Sequence, residues 1–449
     1  MNHRLSDAEI NRDLLRPLVE TGRGFYLTAT LLAGLVLYGA AVWGYQLYTG
    51  LGVAGINRPV QWGFYITNFV FYIGISHAGT LISAILRLCN AGWRHPVTRC
   101  AEAITVFALM VGAMHPLIDL GRAWKFYWVA PYPNERGLWP NFRSPLLWDF
   151  MAITTYLTGS LLYLYIPMIP DLAVVRDKVV GWRKRLYTLL ALGWRGTERQ
   201  WHRLEKAITV MAIIIIPVAV SVHTVVSFVF AMTIQPMWHS TIFGPLFVVG
   251  AIFSGIAALI VAMVILRKVL HLEPYLQPRH FSNLGLLLLT MSLLWFYFTF
   301  AEYLTVWYGN ISEEMENFWF KLRGPFAPWF WAMVVTNFVI PVPLLAFRKT
   351  RTITGCFIAS VSVLVGMWLE RFVIVVGSLS RPRMEFAWGD YAPTWVEISL
   401  FISSIAYFAL LYVIFTKLFP IVSIWEFKEG QRLVEHRVIR RVPAVAEAD

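Results

Sequence analysis

Apolar residues gather into ten long runs separated by shorter polar stretches. The runs cover roughly 25–49, 61–88, 99–120, 144–170, 207–232, 242–270, 282–309, 325–347, 352–377 and 395–420. A helix needs about 20 mostly apolar residues to cross the hydrocarbon core of a bilayer. Every run is long enough, so the pattern predicts an all-α, polytopic membrane protein with about ten transmembrane helices. An even number of crossings returns both termini to one side.

The polar intervals choose that side. Of the 38 Lys and Arg residues, 28 lie in the N-terminal arm, the even-numbered loops and the C-terminal end. Nine lie in the odd-numbered loops and one, Arg371, lies well inside a run, basic residues at the run ends being counted with the adjoining loop. Basic residues collect on the cytoplasmic side of a membrane, so both termini are expected to be cytoplasmic. This segregation accounts for the net charge of +12 without a nucleic-acid partner. The composition agrees: 58% hydrophobic residues, 14% charged residues and 20 Trp, where a soluble chain is about a quarter charged.

The arm "MNHRLSDAEINRDLLRPLVETGRG" is polar and mixed in charge. It does not read as a cleavable signal peptide; an amphipathic or loose arm is expected. Loop 171–206 is the most basic and is expected to hold an amphipathic surface helix attracted to anionic lipid, or to dock a cytoplasmic partner. The odd loops 121–143, 309–324 and 378–394 are aromatic and polar. They suit either a platform for an extracytoplasmic subunit or an aromatic belt at headgroup depth.

A weak internal similarity relates "SHAGTLISAIL" (76–86) to "FSGIAALIVAMVIL" (253–266), and "IDLGRAWKFYW" to "FAEYLTVWYGN". It sets Asp119 opposite Glu302. The expected organisation is a cytoplasmic arm (1–24), a first transmembrane helix with its outer loop (25–60) and a four-helix bundle (61–232). A related four-helix bundle (242–377), a last helix (395–420) and a cytoplasmic tail (421–449) follow.

Ionisable groups inside the runs are costly and mark function or pairing. They are His77, Glu102, His115, Asp119, Asp149, His223, Glu302, Glu370, Arg371 and Glu397. Odd runs lead outward, so His115, Asp119, Asp149, Glu302, Glu370 and Arg371 fall toward the outer leaflet. His115 and Asp119 share a helix face four residues apart. Asp119, Arg122 and Asp149 are expected to meet if loop 121–143 folds over them. Glu370 and Arg371 point to different sides of a helix and are expected to pair elsewhere. His77 and His223 suit either hydrogen-bonded core positions or function; Glu102 and Glu397, near run ends, are expected to be solvated. Cys89, Cys100 and Cys356 form no CxxC pair, so no iron–sulfur cluster is expected on this chain. Axial haem ligation by His77 and His223 is conceivable, but neither sits in a paired haem motif, so no haem or metal is expected.

A carboxylate or His beside an apolar cleft suits proton transfer from a quinol. The electrons would leave to a centre on another subunit.

Four stretches carry a resemblance. "GINRPVQWGFYITNFVFYIGISHAGTLISAIL" (55–86) and "HPLIDLGRAWKFYWVAPYPNERGLWPNFRSPLLWDF" (115–150) resemble the NrfD/polysulfide-reductase family of membrane subunits. "PMWHSTIFGPLFVVGAIFSG" (236–255) and "WLERFVIVVGSL" (368–379) support it. Within that family the chain is most similar to the ten-span subunits of alternative complex III. The resemblance implies two four-helix bundles in a prokaryotic inner membrane and a quinol site near the outer face. It implies an extracytoplasmic iron–sulfur protein, cytochrome c subunits and a second homologous membrane subunit as partners, with one of the two membrane subunits holding the quinone. Asp149 matches the family's quinone-site carboxylate. The position before "LGR", commonly His, is Asp119 here, with His115 one turn earlier. Glu302, Glu370 and Arg371 resemble positions proposed for proton routes.

The expected catalytic residues are therefore Asp119, Asp149 and His115. His77, Arg122, Trp124, Tyr127 and Arg371 are expected to bind menaquinone or ubiquinone, and His223, Glu302 and Glu370 to carry protons. The expected function is that of a membrane subunit of a quinol-oxidising respiratory or photosynthetic complex, possible proton translocation included. A quinone-free structural or proton-conducting partner subunit, and a secondary transporter, are the competing readings.

Overall fold

A computed structural model describes residues 5–130 and 142–439. Loop residues 131–141, part of the expected cap over Asp119 and Asp149, lie outside the described residues, as do 1–4 and 440–449 of the two termini. Among the described residues sixteen α-helices run in the order α1 (Asp7–Val19), α2 (Arg23–Thr49), α3 (Phe64–Leu88), α4 (Thr98–Asp119), α5 (Pro145–Tyr165), α6 (Ile169–Arg176), α7 (Gly181–Leu190) and α8 (Glu198–Ala231). Then come α9 (Phe243–Val269), α10 (Pro278–Gly309), α11 (Ser312–Leu322), α12 (Ala327–Val334), α13 (Pro341–Ala346), α14 (Ile353–Phe372), α15 (Trp395–Leu418) and α16 (Ile424–Ile439). There is no strand among the described residues.

Ten of these segments are long and apolar enough to span a bilayer, α5 with α6 and α12 with α13 counting as one each. The chain is a multi-pass integral membrane protein. Two spans start earlier than hydropathy suggests. α8 begins at Glu198 because Thr197 and Gln200 form a capping box, so the helix is already wound in its polar turns before apolar residues begin. α10 begins at Pro278, where Gln277 and His280 cap it.

α3, α4, α5 and α8 pack together, as do α9, α10, α12–α13 and α14. α3 also lies against α9 and α14, and α8 against α9, so the two groups share a seam. α2 and α15 pair beside α4. α3 and α4 approach closely: a Cβ on Gly79 would sit 1.9 Å from the Ala101 carbonyl oxygen. Only glycine lets the backbones meet there.

The first and last helices, α1 and α16, lie together at one end, the terminal face. α1 starts with a Ser6–Glu9 capping box; Asp7 lies 3.7 Å from Arg432 of α16. The expected helix in 171–206 is present as α7, and its Arg183 donates to the Leu18 and Lys417 carbonyls. At the other end, the opposite face, the chain forms an exposed 3-10 segment, Ala123–Val129, and the helix α11.

Candidate functional site

Three groups of buried polar side chains lie within the spans. The first is at the opposite-face end of α4. His115 Nδ1 lies 3.0 Å from the Val111 carbonyl oxygen one turn back, which sets the N–H on Nδ1 and leaves a lone pair on Nε2. The ring stacks on Tyr72 at 5.5 Å. Nε2 is buried without a partner. Asp119 Oδ1, one turn on, also lacks one, and Asp119 lies in electrostatic reach of Glu397 and Tyr65. The Tyr65 hydroxyl donates to Gln46 Oε1 at 2.5 Å, and Gln46 Nε2 donates to the Ile118 carbonyl. Asp149, in the first turns of α5, is buried with Oδ1 unpartnered. Among the described residues no hydrogen bond or ion pair joins Asp119, Arg122 and Asp149. Arg122, Trp124 and Tyr127 are exposed, the last two on the 3-10 segment that follows α4.

The second group lines a cavity of about 40 Å³ between α9, α10, α11 and α14, enough for a water molecule or two. Glu302 accepts from Ser240 Oγ at 2.5 Å, while its Oε1 and the Thr299 hydroxyl have no partner. Lys321, from α11, is 3% exposed and donates to Ser378 Oγ at 2.7 Å. Burial pulls its ammonium down to about 7, and Glu302 opposes that shift. Glu370 lines the same cavity. Its Oε1 accepts from Trp295 Nε1 at 2.6 Å, and its Oε2 lies 2.9 Å from Arg371 Nη1. That contact is too poorly aligned for a hydrogen bond, so both Nη atoms are left unpartnered. The guanidinium rests on Phe247 at 4.6 Å. Gly250 makes the room: its Cβ would stand 2.7 Å from Arg371 Nη2.

The third group occupies the seam. His77 and His223 meet edge to face at 4.4 Å. Each ring nitrogen of His77 is 2.8 Å from a carbonyl oxygen, of Ile73 and of Ala219. A neutral ring has one N–H and serves one of them. Neither nitrogen of His223 has a partner. Tyr156 lies beside His77 and donates to the Ser76 carbonyl. Toward the terminal face, Ser83 donates to Glu102 at 2.6 Å, and Arg99 pairs with Asp171 at 2.5 Å.

Three expectations change. Glu370 and Arg371 touch each other as well as distant partners, Trp295 on α10 and Phe247 on α9, because Gly250 leaves space for both side chains. Glu397 is fully buried: it accepts from Gly55 N, Thr394 N and the Tyr391 hydroxyl, capping α15 and fastening the loop before α3. Glu102 is buried with Ser83 and Tyr163. His77 and Arg371 share surroundings with His223 and Glu370, not with Asp119. Lys321 was missed because α11 reads as a polar loop helix; the helical spacing of Asn317, Phe318, Phe320 and Lys321, which the fold buries, was the available signal.

Residues 52–382 match the family described as polysulphide reductase, NrfD. The chain is 26% identical over 440 residues to a Halobacterium salinarum protein named as a dimethyl sulfoxide reductase membrane subunit, covering 90% of this chain and 93% of that one. It is 22% identical to the Hdr-like menaquinol oxidoreductase integral membrane subunit of Archaeoglobus fulgidus, over 89% of this chain and 94% of that one. It is 23% identical to the menaquinone reductase integral membrane subunit of Nitratidesulfovibrio vulgaris, over 84% of this chain and 86% of that one. With a family match across most of its length and all ten apolar spans in place, the chain belongs to the NrfD polysulphide reductase family of membrane proteins.

Proposed function

We propose that this chain is the integral membrane subunit of a quinone-linked oxidoreductase complex, and that it binds quinol at the end of α4 and α5 on the opposite face. The names of two relatives, a menaquinol oxidoreductase subunit and a menaquinone reductase subunit, support the substrate class. One observation carries the site: His115 Nε2, Asp119 Oδ1 and Asp149 Oδ1 are buried without partners. A buried polar atom left unpaired costs roughly 1–3 kcal/mol, and two quinol hydroxyls supply the missing hydrogen bonds. His115 Nε2 accepts one proton as a lone pair, and Asp149 or Asp119 the other. Two electrons leave to a docked iron–sulfur protein and the product is quinone. Arg122, Trp124 and Tyr127 shelter the mouth of the site. The basic terminal face sets the orientation: termini in the cytoplasm, quinol site outside. On this reading the complex is of the alternative complex III type, with cytochrome c subunits and a second homologous membrane subunit.

The cavity and the seam supply a proton route. Glu302, Lys321, Glu370, Arg371, His223 and His77 follow one another from the opposite face inward, with room for water beside Glu302. Asp149→Asn tests the quinol site. It keeps the shape and removes the base, so quinol-dependent reduction of the attached redox subunits falls at least 100-fold while the complex still assembles. Normal turnover in that variant rejects the site. The lack of any link between Asp119 and Asp149 favours a second reading, a quinone-free proton-conducting subunit. Quinone extracted from the purified complex, about one per chain or none, separates the two.

A further inference from the structure

A second cavity, about 520 Å³, lies at the terminal face between α6, the turn at 194–196, the start of α8 and α16. Its volume is that of a small-molecule site. Two helices furnish it with the same pair of side chains. On α8, Trp201 is followed four residues later by Glu205; on α16, Trp425 is followed four residues later by Glu429. That spacing puts each indole and carboxylate on one helix face, and all four line the cavity. Trp194 completes an aromatic corner. Its ring meets Trp201 at 5.0 Å and 88°, and Trp201 meets Trp425 at 5.4 Å. Trp425 is held by its indole N–H on the Pro167 carbonyl, 2.8 Å away.

The charges on the wall are not all in use. Asp171 is taken by Arg99 and by the first amides of α16. Arg176 pairs with Asp177 at 2.9 Å, and Asp7 lies near Lys428 and Arg432. Among the described residues, Arg195, Glu205 and Glu429 have no ion pair. Burial, with help from Glu426 and Glu205, pushes the Glu429 carboxyl up. Lys428 and Arg432 share the one carboxylate of Asp7, so beside Arg195 one further cation is spare; the two spare carboxylates, Glu205 and Glu429, still exclude a simple anion site. Two carboxylates beside an aromatic corner are the setting that attracts an ammonium, and Arg195 suits a phosphate. The adjoining α7 exposes Trp182 and Leu189, as a helix at a lipid surface does.

We propose that this cavity binds a phosphoethanolamine group, its ammonium between Glu205, Glu429 and the indoles and its phosphate at Arg195. The group comes from a phospholipid headgroup or from a soluble phosphoester. The test uses the full-length protein purified as its complex, stripped of lipid and examined by native mass spectrometry. Phosphatidylethanolamine, phosphatidylglycerol or soluble O-phosphoethanolamine is added back. Phosphatidylethanolamine is expected to bind at least tenfold better than phosphatidylglycerol. Displacement by soluble O-phosphoethanolamine shows that the headgroup suffices; its failure to displace shows that the lipid is the source. Either result supports the proposal. The double variant Glu205→Gln/Glu429→Gln is expected to lose the preference tenfold with an unchanged thermal midpoint. Arg195→Gln, at an exposed position, serves as a second variant should the first fold poorly. The proposal is overturned if phosphatidylglycerol binds better, or if these variants keep wild-type preference.

Discussion

The contact between Glu370 and Arg371 offers a sharp test of how the second helix group is held together. Glu370→Gln keeps the acceptor that faces Trp295 Nε1 at 2.6 Å and removes the charge 2.9 Å from Arg371 Nη1. Arg371 is 1% exposed and has no other hydrogen-bond partner for its Nη atoms. At 2.9 Å the attraction is about 6 kcal/mol at an effective dielectric of 20. Most of that offsets desolvation, so the pair adds little net stability while breaking it is expensive. Removing one partner costs about 3–5 kcal/mol. Arg371→Met alone costs a similar amount, by stranding the carboxylate. Glu370→Gln with Arg371→Met leaves no buried charge and lies within about 2 kcal/mol of the parent. Unfolding in mixed micelles measures all four proteins. Additive losses, with the double variant as unstable as the two singles summed, would refute the reasoning. Proton uptake in proteoliposomes supplies an independent readout: if Glu370 relays protons, uptake stays lost in the double variant although stability returns.

Two further outcomes follow from named groups. Lys321 titrates at about 7 in the folded protein and near 10.4 in an unfolded chain. Between those values the unfolded chain holds one proton more, so stability rises with pH across that window; Lys321→Met should flatten the rise, and an unaltered profile would count against the buried lysine. Asp171→Asn strands Arg99 and weakens the acceptor for the first amides of α16. It should destabilise the chain by about 3–5 kcal/mol and expose α16 to protease, whereas wild-type cleavage rates would show that the pair does not hold the helix.

The ten spans were legible because each is a run of about 20 apolar residues, a signal that tertiary contacts do not alter. The ends were less so. Hydropathy starts a span where apolar residues start, whereas α8 starts where Thr197 and Gln200 can cap it. Of the candidate site, sequence picks out the costly groups but not their company. His115 and Asp119 share a face as their spacing requires. Yet Asp119 lies toward Tyr65 and Glu397, helices distant in sequence, a matter of packing that no local pattern encodes. The Glu370–Arg371 contact depends on a glycine 120 residues away, Gly250. Glu397 looked like a solvated end residue; its bond from Thr394 belongs to a capping box that the sequence carries, whereas the donors Gly55 and Tyr391 come from loops whose course only the fold reveals. Lys321 sat in a short polar helix that hydropathy dismisses.

The most direct test of the central claim is where quinone touches this chain. A photoreactive quinone analogue is activated on the intact complex and the modified peptides are sequenced. Labelling within 111–122 and 145–153, displaced by excess quinol and reduced in Asp149→Asn, is the predicted result. Labelling confined to other helices, with the ends of α4 and α5 untouched, would contradict the account.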